Sequence, residues 1–134
     1  MMTAIDTNWH NNEKTIIQMT LQDGWTWDNL YDALNTVKRM AVSVPHNNLG
    51  LIFNMEDTSY HPSGVDKHLS RIINNIHPNV IYFMMVGTNF WLTGIHHVMV
   101  DVNKELAEYH RLMPTLDEAY RFLNKKLSGY AKSS

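Results

Sequence analysis

The stretch SYHPSGVDKHL, residues 59–69, brings hydroxyl, imidazole, carboxylate and ammonium groups together in one short segment. A serine hydrolase would present its nucleophile in the pattern Gly-x-Ser-x-Gly, which the residues around Ser63 do not match. Ser63 is instead well placed to begin a helix, where its hydroxyl oxygen can accept a hydrogen bond from a backbone N–H of the first turn. Asp66, or a phosphate on Ser63, would be stabilised by the positive end of the helix dipole. The segment therefore predicts a helix start rather than a catalytic serine.

Two other groups of ionisable side chains raise the possibility of catalysis or metal binding. Glu56 and Asp57 are adjacent, but neighbouring residues on an extended chain point in opposite directions, so their carboxylates do not converge. His97, Asp101 and Glu105 share one face of a predicted helix, yet they span about 12 Å along its axis, too far for one ion. The sequence therefore predicts no catalytic residue, no metal site and no cofactor.

A ligand pocket is the alternative that the residue types leave open. Gly87, Thr88 and Asn89 begin a predicted helix, whose first N–H groups could bind an anion, although a single glycine is a weak phosphate-binding signal. Trp91 and Tyr60 would form the walls of this pocket. It would hold a small apolar or anionic ligand at the carboxyl ends of the strands.

Composition limits the class of protein. The chain has 134 residues, a net charge of -2 and no cysteine, so disulfides and thiol catalysis are excluded. It has no run of Lys and Arg that could neutralise a row of phosphates, which argues against nucleic-acid binding. We expect a single domain over residues 1–134, with an ordered core at about 4–127 and a flexible tail at 128–134. The absence of a signal peptide and of a long apolar run predicts a cytoplasmic protein without a membrane segment.

Strand-like and helix-like segments alternate along the chain after an opening hairpin. Thr26 and Thr115 are predicted helix caps, and the most apolar segment, VIYFMMVG, is the predicted central strand. The predicted strands cover residues 4–9, 14–22, 49–55, 80–87 and 109–113. The predicted helices carry apolar residues at helical spacing over 27–41, 65–76, 91–106 and 115–123. The order β-β-α-β-α-β-α-β-α predicts an α/β fold with a mixed, mostly parallel five-stranded sheet and four helices.

Paired aromatic residues indicate a contact surface. Trp25 and Trp27 flank one threonine, and Phe90 is followed directly by Trp91. Two such close positions do not both face the core, so the pattern leaves two alternatives. One ring of each pair is exposed and forms part of a contact surface, or the rings pack in the core or at its rim, which is the commoner fate of such rings.

The element order resembles the STAS domain, the fold of bacterial anti-sigma factor antagonists. The chain is similar in particular to small stand-alone proteins described as SpoIIAA-like or STAS/SEC14-like, and the likeness runs from about Ile5 to Leu127 by the order and spacing of its elements. The segments that carry it are TIIQMTLQDGWTWDNLYDAL, LGLIFNMEDTSYHPSG, NVIYFMMVGTNFW and HRLMPTLDEAYRFL.

The resemblance implies a regulatory interaction domain, with one departure from the family pattern. STAS antagonists carry Asp-Ser-Ser-Gly before the second helix, and a partner kinase phosphorylates the first serine. These positions correspond here to His61, Pro62, Ser63 and Gly64, so a proline occupies the place of the phosphorylated serine. The usual phosphoserine switch is therefore not expected.

We expect a non-enzymatic module that binds another protein, such as a regulatory kinase or an anti-sigma-like factor, through the Ser63 turn and the helix that follows. The aromatic content is also compatible with a homodimer. The predicted partner-binding residues are Tyr60, His61, Ser63, Gly64, Asp66 and Lys67.

Overall fold

A five-stranded mixed sheet forms the centre of the protein, with strand order β1-β2-β3-β4-β5. The computed structural model describes residues 4–58, 63–64, 67–68, 71–72, 75–88, 94, 97 and 110–132. The strands are β1 (Ile5–Trp9), β2 (Ile16–Leu21), β3 (Leu49–Asn54), β4 (Val80–Val86) and β5 (His110–Met113). The helices with defined bounds are α1 (Trp27–Ser43) and α2 (Leu116–Lys132).

The strand directions confirm the predicted α/β class and the mostly parallel sheet. β1 pairs antiparallel with β2 through the opening hairpin, and β2, β3, β4 and β5 are parallel to one another. The prediction that VIYFMMVG is the central strand was wrong, because β3 is the middle strand and β4 lies between it and β5. Every residue of β3 is buried, as expected for a strand covered on both faces.

The side-chain alternation of β2 separates the two faces of the sheet. Ile17, Met19 and Leu21 are fully buried in the core beneath α1, whereas Gln18 and Thr20 on the opposite face are only half-buried. This period of two is typical of a strand with one apolar face. At β2 the face beneath α1 is therefore apolar throughout, whereas the opposite face carries the buried Ile16 together with the polar Gln18 and Thr20.

Helix α1 begins at the predicted cap. The Thr26 hydroxyl accepts a hydrogen bond from the Asn29 N–H, and the Asn29 side chain accepts one from the Thr26 N–H, which completes a capping box. Its apolar face buries Leu30, Ala33 and Val37 against the sheet. The helix ends before Pro45, as the sequence predicted, since a proline disfavours helical backbone in the residue before it.

Helix α2 covers the other face, packing on β3, β4 and β5. The Thr115 hydroxyl accepts a hydrogen bond from the Glu118 N–H, as the predicted cap requires. The helix continues to Lys132, past the predicted end at residue 123, because Leu127 adds a further buried turn one helical repeat after Leu123. Leu123 packs directly over Gly50, where a Cβ would lie only 2.7 Å from its Cδ2.

The second and third predicted helices fall mostly outside the described residues. Lys67, His68, Arg71 and Ile72 have helical backbone, and so does Gly94. The His68 N–H donates to the Gly64 carbonyl, the i to i−4 bond of an α-helix. A helical turn therefore follows the Ser63 segment, while the bounds of both predicted helices lie outside the described part of the chain.

Candidate functional site: the Ser63 turn and its aromatic cluster

The described residues of the Ser63 turn are Ser63 and Gly64. A side-chain hydrogen bond attaches this turn to the start of α1. The Trp27 indole N–H donates to the Ser63 carbonyl oxygen at 2.6 Å. Gly64, the next residue, has φ of +91°, a left-handed conformation that glycine adopts without steric cost. A Cβ at Gly64 would meet only the His68 ring and Trp27 at ordinary contact distances, so the requirement for glycine comes from the backbone angle.

His68 joins the turn to two aromatic rings of α1. Its imidazole stacks on the Trp27 indole, with centroids 4.3 Å apart and planes inclined by 17°. Its Nδ1 shares a hydrogen bond of 2.6 Å with the Tyr31 hydroxyl. One face of the imidazole and one of its nitrogens are thus occupied by other side chains.

Trp25 completes what we call the aromatic cluster, namely Trp25, Trp27, Tyr31 and His68. The Trp25 ring is buried and meets Trp27 edge to face at 5.2 Å, while Trp27 is half-buried and packs against the core. Neither ring of this pair is fully exposed, so Trp27 packs at the rim of the core. Phe90 and Trp91, the other pair, lie outside the described residues. Among the described residues, the buried Trp25 indole N–H has no hydrogen-bond acceptor.

The loops after β2 and β3 meet next to this cluster. The Thr58 hydroxyl, which is almost completely buried, donates to an Asp23 carboxylate oxygen at 3.4 Å. The Asn54 side chain accepts a hydrogen bond from the Glu56 N–H at 3.2 Å. Glu56 and Asp57 are both exposed, in agreement with a solvated loop. These two hydrogen bonds order the loops at the carboxyl ends of β2 and β3. The Thr58, Asp23 and Asn54 side chains thus have structural roles there.

The predicted site residues are only partly within the described chain. Ser63, Gly64 and Lys67 are exposed, as a partner-binding surface requires. Three further predicted partner-binding residues, Tyr60, His61 and Asp66, lie outside the described residues.

Only Gly87 and Thr88 of the predicted ligand pocket lie within the described residues. Gly87 is buried and its N–H donates to the Met113 carbonyl at 3.0 Å, so this N–H is used in strand pairing rather than left for an anion. Thr88 is exposed. Asn89 and Trp91, which would complete the pocket, lie outside the described residues.

A groove beside the aromatic cluster was not foreseen from the sequence. It lies between α1 and the residues Arg71, Ile72 and Asn75, and it has a volume of about 210 Å³. We call it the basic groove. Its described lining residues are Tyr31, Leu34, Asn35, Lys38, Arg71, Ile72 and Asn75. The four α1 residues recur at helical spacing, so the sequence alone indicates that they share one face of the helix. The residues of the opposite wall are more than thirty positions away in the chain, and no local pattern connects them with α1.

Another groove lies at the β1 edge, away from the aromatic cluster. Its volume is about 300 Å³, and it is lined by β1 and α1 residues that include Asp6, Asn8, Asn29 and Asp32. It is the larger of the two grooves, but it touches neither the Ser63 turn nor any predicted site residue.

A polar contact on the opposite face of the sheet involves Tyr120 of α2. Its ring stacks on His10 at 3.7 Å, and its hydroxyl donates to the Gln18 side-chain oxygen. Burial, followed by the negative charges of Asp117 and Glu56, raises the pKa of the Tyr120 phenol above its ordinary value of 10.0. A raised pKa keeps the phenol neutral, which suits a structural hydrogen-bond donor rather than a nucleophile.

Comparisons with protein-family models, with curated proteins and with solved structures found no match to this chain. Among the described residues, no three His, Asp or Glu side chains are grouped so that they could hold a metal ion. The described helices include none long and apolar enough to cross a membrane. The functional proposal therefore depends on the contacts set out above.

Proposed function

We propose that this protein is a non-enzymatic interaction module that binds a partner protein through the Ser63 turn and the aromatic cluster beside it. The observation that carries the proposal is the fixed position of Trp27. Its indole donates a hydrogen bond to Ser63 and stacks on His68, yet the residue remains partly exposed. An ordered, amphipathic tryptophan on the surface is typical of the centre of a protein–protein interface.

The composition of the surrounding surface supports binding. Trp27, Tyr31 and Arg71 are the residue types most enriched at energetic centres of interfaces. The Arg71 guanidinium lies 5.9 Å from the centre of the Tyr31 ring, a cation–π distance. These side chains are already ordered by contacts with one another. They would therefore lose little additional conformational entropy when a partner binds.

The contacts of His68 give it a structural role in this surface. The Nδ1 of His68 is occupied by Tyr31, and one ring face is covered by Trp27. This imidazole serves as a structural connector between the turn and α1.

The proposal extends to the class of partner that the STAS resemblance implies. A regulatory kinase or an anti-sigma-like factor would bind the turn in the cytoplasm, and Pro62 in place of the phosphorylated serine favours binding without the usual phosphoserine switch. Thr58, another hydroxyl near the turn, is almost fully buried and bonded to Asp23, which disfavours it as a phosphorylation site.

The test is affinity capture from an extract of the native cell, with the full chain as bait and intact-mass analysis of the eluate. Lys67→Glu reverses an exposed charge beside the turn, and Lys125→Glu reverses an exposed charge on α2 as a matched control. We expect a stoichiometric protein partner with the wild type and Lys125→Glu, and its loss with Lys67→Glu. Equal capture by both variants, or no stoichiometric partner for the wild type, would contradict the proposal.

A second substitution probes the part of the turn outside the described residues. Asp66→Lys should leave the fold nearly intact, costing under about 1 kcal/mol through the unfavourable charge at the helix start. We expect it also to abolish capture. A folded Asp66→Lys variant that still captures the partner would place the interface elsewhere.

A further inference from the structure

The described lining of the basic groove has charges of one sign. Lys38 and Arg71 supply a cation on each side of it, and no carboxylate is among the lining residues that the structure describes. The whole chain has a net charge of -2, so this concentration of positive charge is local rather than a property of the surface as a whole. Both cations are exposed and accessible to a ligand.

The floor of the groove is apolar. Ile72, which is buried, and Leu34, which is half-buried, both line it. Asn35 and Asn75 add exposed amides at the margin. A ligand that fits this lining would combine negative charge at its edges with an apolar group at its centre.

The size of the groove favours side chains over a small molecule. Pockets for small ligands usually enclose about 300–1,000 Å³, whereas this groove has about 210 Å³. It is also continuous with the aromatic cluster, because Tyr31 both lines the groove and bonds His68. A partner that covers the Ser63 turn would therefore extend over the groove.

We infer that the basic groove binds an acidic segment of the partner protein, with Asp or Glu carboxylates facing Lys38 and Arg71 and one apolar side chain resting on Leu34 and Ile72. This inference rests on the proposed function and specifies the chemistry of the partner at the same site. Guanidinium and ammonium groups on opposite walls suit carboxylates in two positions of one short peptide.

The first experiment selects ligands without assuming a partner. Random dodecapeptides displayed on phage are panned on the immobilised full chain, and the binding of a selected peptide is measured by fluorescence anisotropy. We expect selected peptides rich in Asp and Glu around an apolar residue, and binding that weakens as salt is raised. Peptides without acidic enrichment, or failure to select any peptide, would overturn the inference.

Matched variants locate the binding. Lys38→Glu/Arg71→Glu reverses both groove charges, whereas Arg39→Glu/Lys125→Glu makes the same change in net charge outside the groove. All four positions are exposed, so both double variants are expected to fold, which circular dichroism checks. The selected peptide should bind the groove variant at least about tenfold more weakly and the control within about threefold of wild type. Equal affinity for both variants would overturn the inference.

The cell-extract capture separates this inference from the proposed function. A partner lost with Lys67→Glu but retained by Lys38→Glu/Arg71→Glu would uphold the proposed function and overturn the inference. Loss with Lys38→Glu/Arg71→Glu and not with its control would support both. A partner retained by Lys67→Glu would contradict the proposed function.

Discussion

The Trp27 indole N–H and the Ser63 carbonyl oxygen are joined by a 2.6 Å hydrogen bond between residues 36 positions apart in the chain. This bond fixes the start of α1 against the turn that follows β3. The His68 ring, stacked on the same indole, holds the first helical turn after Ser63 in place. The surface that we propose for partner binding is therefore organised by one side chain.

Trp27→Phe should remove this hydrogen bond while keeping an aromatic ring against His68. Because water can replace the indole at the exposed Ser63 carbonyl, we expect a loss of only about 0.5–1.5 kcal/mol in the free energy of unfolding. Urea unfolding measures this loss, and partner capture should weaken with it. A variant as stable as the wild type would show that the bond does not hold the turn.

Tyr31 and His68 should be energetically coupled through the bond between the Tyr31 hydroxyl and Nδ1. A double-mutant cycle with Tyr31→Phe and His68→Phe isolates the pairwise term, which we expect to be about 1 kcal/mol. Tyr31→Phe with Tyr120→Phe provides a comparison pair, because Tyr120 packs on the opposite face of the sheet from Tyr31. Additive losses in the first cycle would indicate that the hydrogen bond contributes nothing to stability.

Gly50→Ala should destabilise the protein. The new Cβ would lie 2.7 Å from Leu123 Cδ2 and 3.2 Å from its Cγ, and Leu123 is fully buried, so the helix or the side chain must shift. We expect a loss of about 1–3 kcal/mol, typical of an overfilled core. Thermal unfolding provides the measurement.

Two companion variants define the cause of the Gly50→Ala effect. Gly94→Ala places a methyl group in open space on helical backbone, so it should be neutral or stabilising by up to about 1 kcal/mol. Adding Leu123→Val to Gly50→Ala should recover part of the lost stability. If the shorter side chain brings no recovery, the close approach of Leu123 is not the source of the loss.

Tyr120 should make the protein sensitive to alkaline pH. Its pKa is raised in the folded state by burial and by the carboxylates of Asp117 and Glu56, so between the ordinary value of 10.0 and the raised value the unfolded chain loses the proton first. The free energy of unfolding should therefore be unaffected by this group below pH 10.0, fall as the pH rises above it, and level off above the folded-state pKa.

Tyr120→Phe removes the titrating hydroxyl and serves as the reference for this pH dependence. Urea unfolding of both proteins at several alkaline pH values gives the difference in stability, in which the titration of all other groups cancels. We expect the advantage of the wild type to shrink above pH 10.0. A difference that stays constant with pH would show that Tyr120 titrates alike in both states.

Local patterns in the sequence predicted most of the elements with defined bounds. The alternation in β2 and the apolar run of β3 identify strands because side-chain burial has a period of two or is continuous. Thr26 identifies the start of α1, since its hydroxyl and the Asn29 side chain satisfy N–H groups within one turn. The STAS relationship itself stays a prediction.

The candidate site was harder to predict from the sequence than the fold, because the contacts that form it join residues far apart in the chain. No local sequence pattern indicates that Trp27 contacts Ser63 or that Tyr31 contacts His68. These contacts form because the connection between β2 and β3 and the connection between β3 and β4 lie side by side on the sheet. The basic groove was missed for the same reason. Ser63 and Lys67 could be predicted as exposed residues of a turn, but the aromatic rings behind them could not be assigned to that turn.

The position of β1 at the end of the sheet bears on edge-to-edge pairing between two molecules of this protein at high concentration. Among the described strands, β1 pairs with β2 alone, so its other side is an edge that a second sheet could extend. The exposed carboxylate of Asp6 lies within this short strand, and extending the sheet would bring it against the edge of another molecule. A charge on an edge strand disfavours edge-to-edge pairing of two molecules.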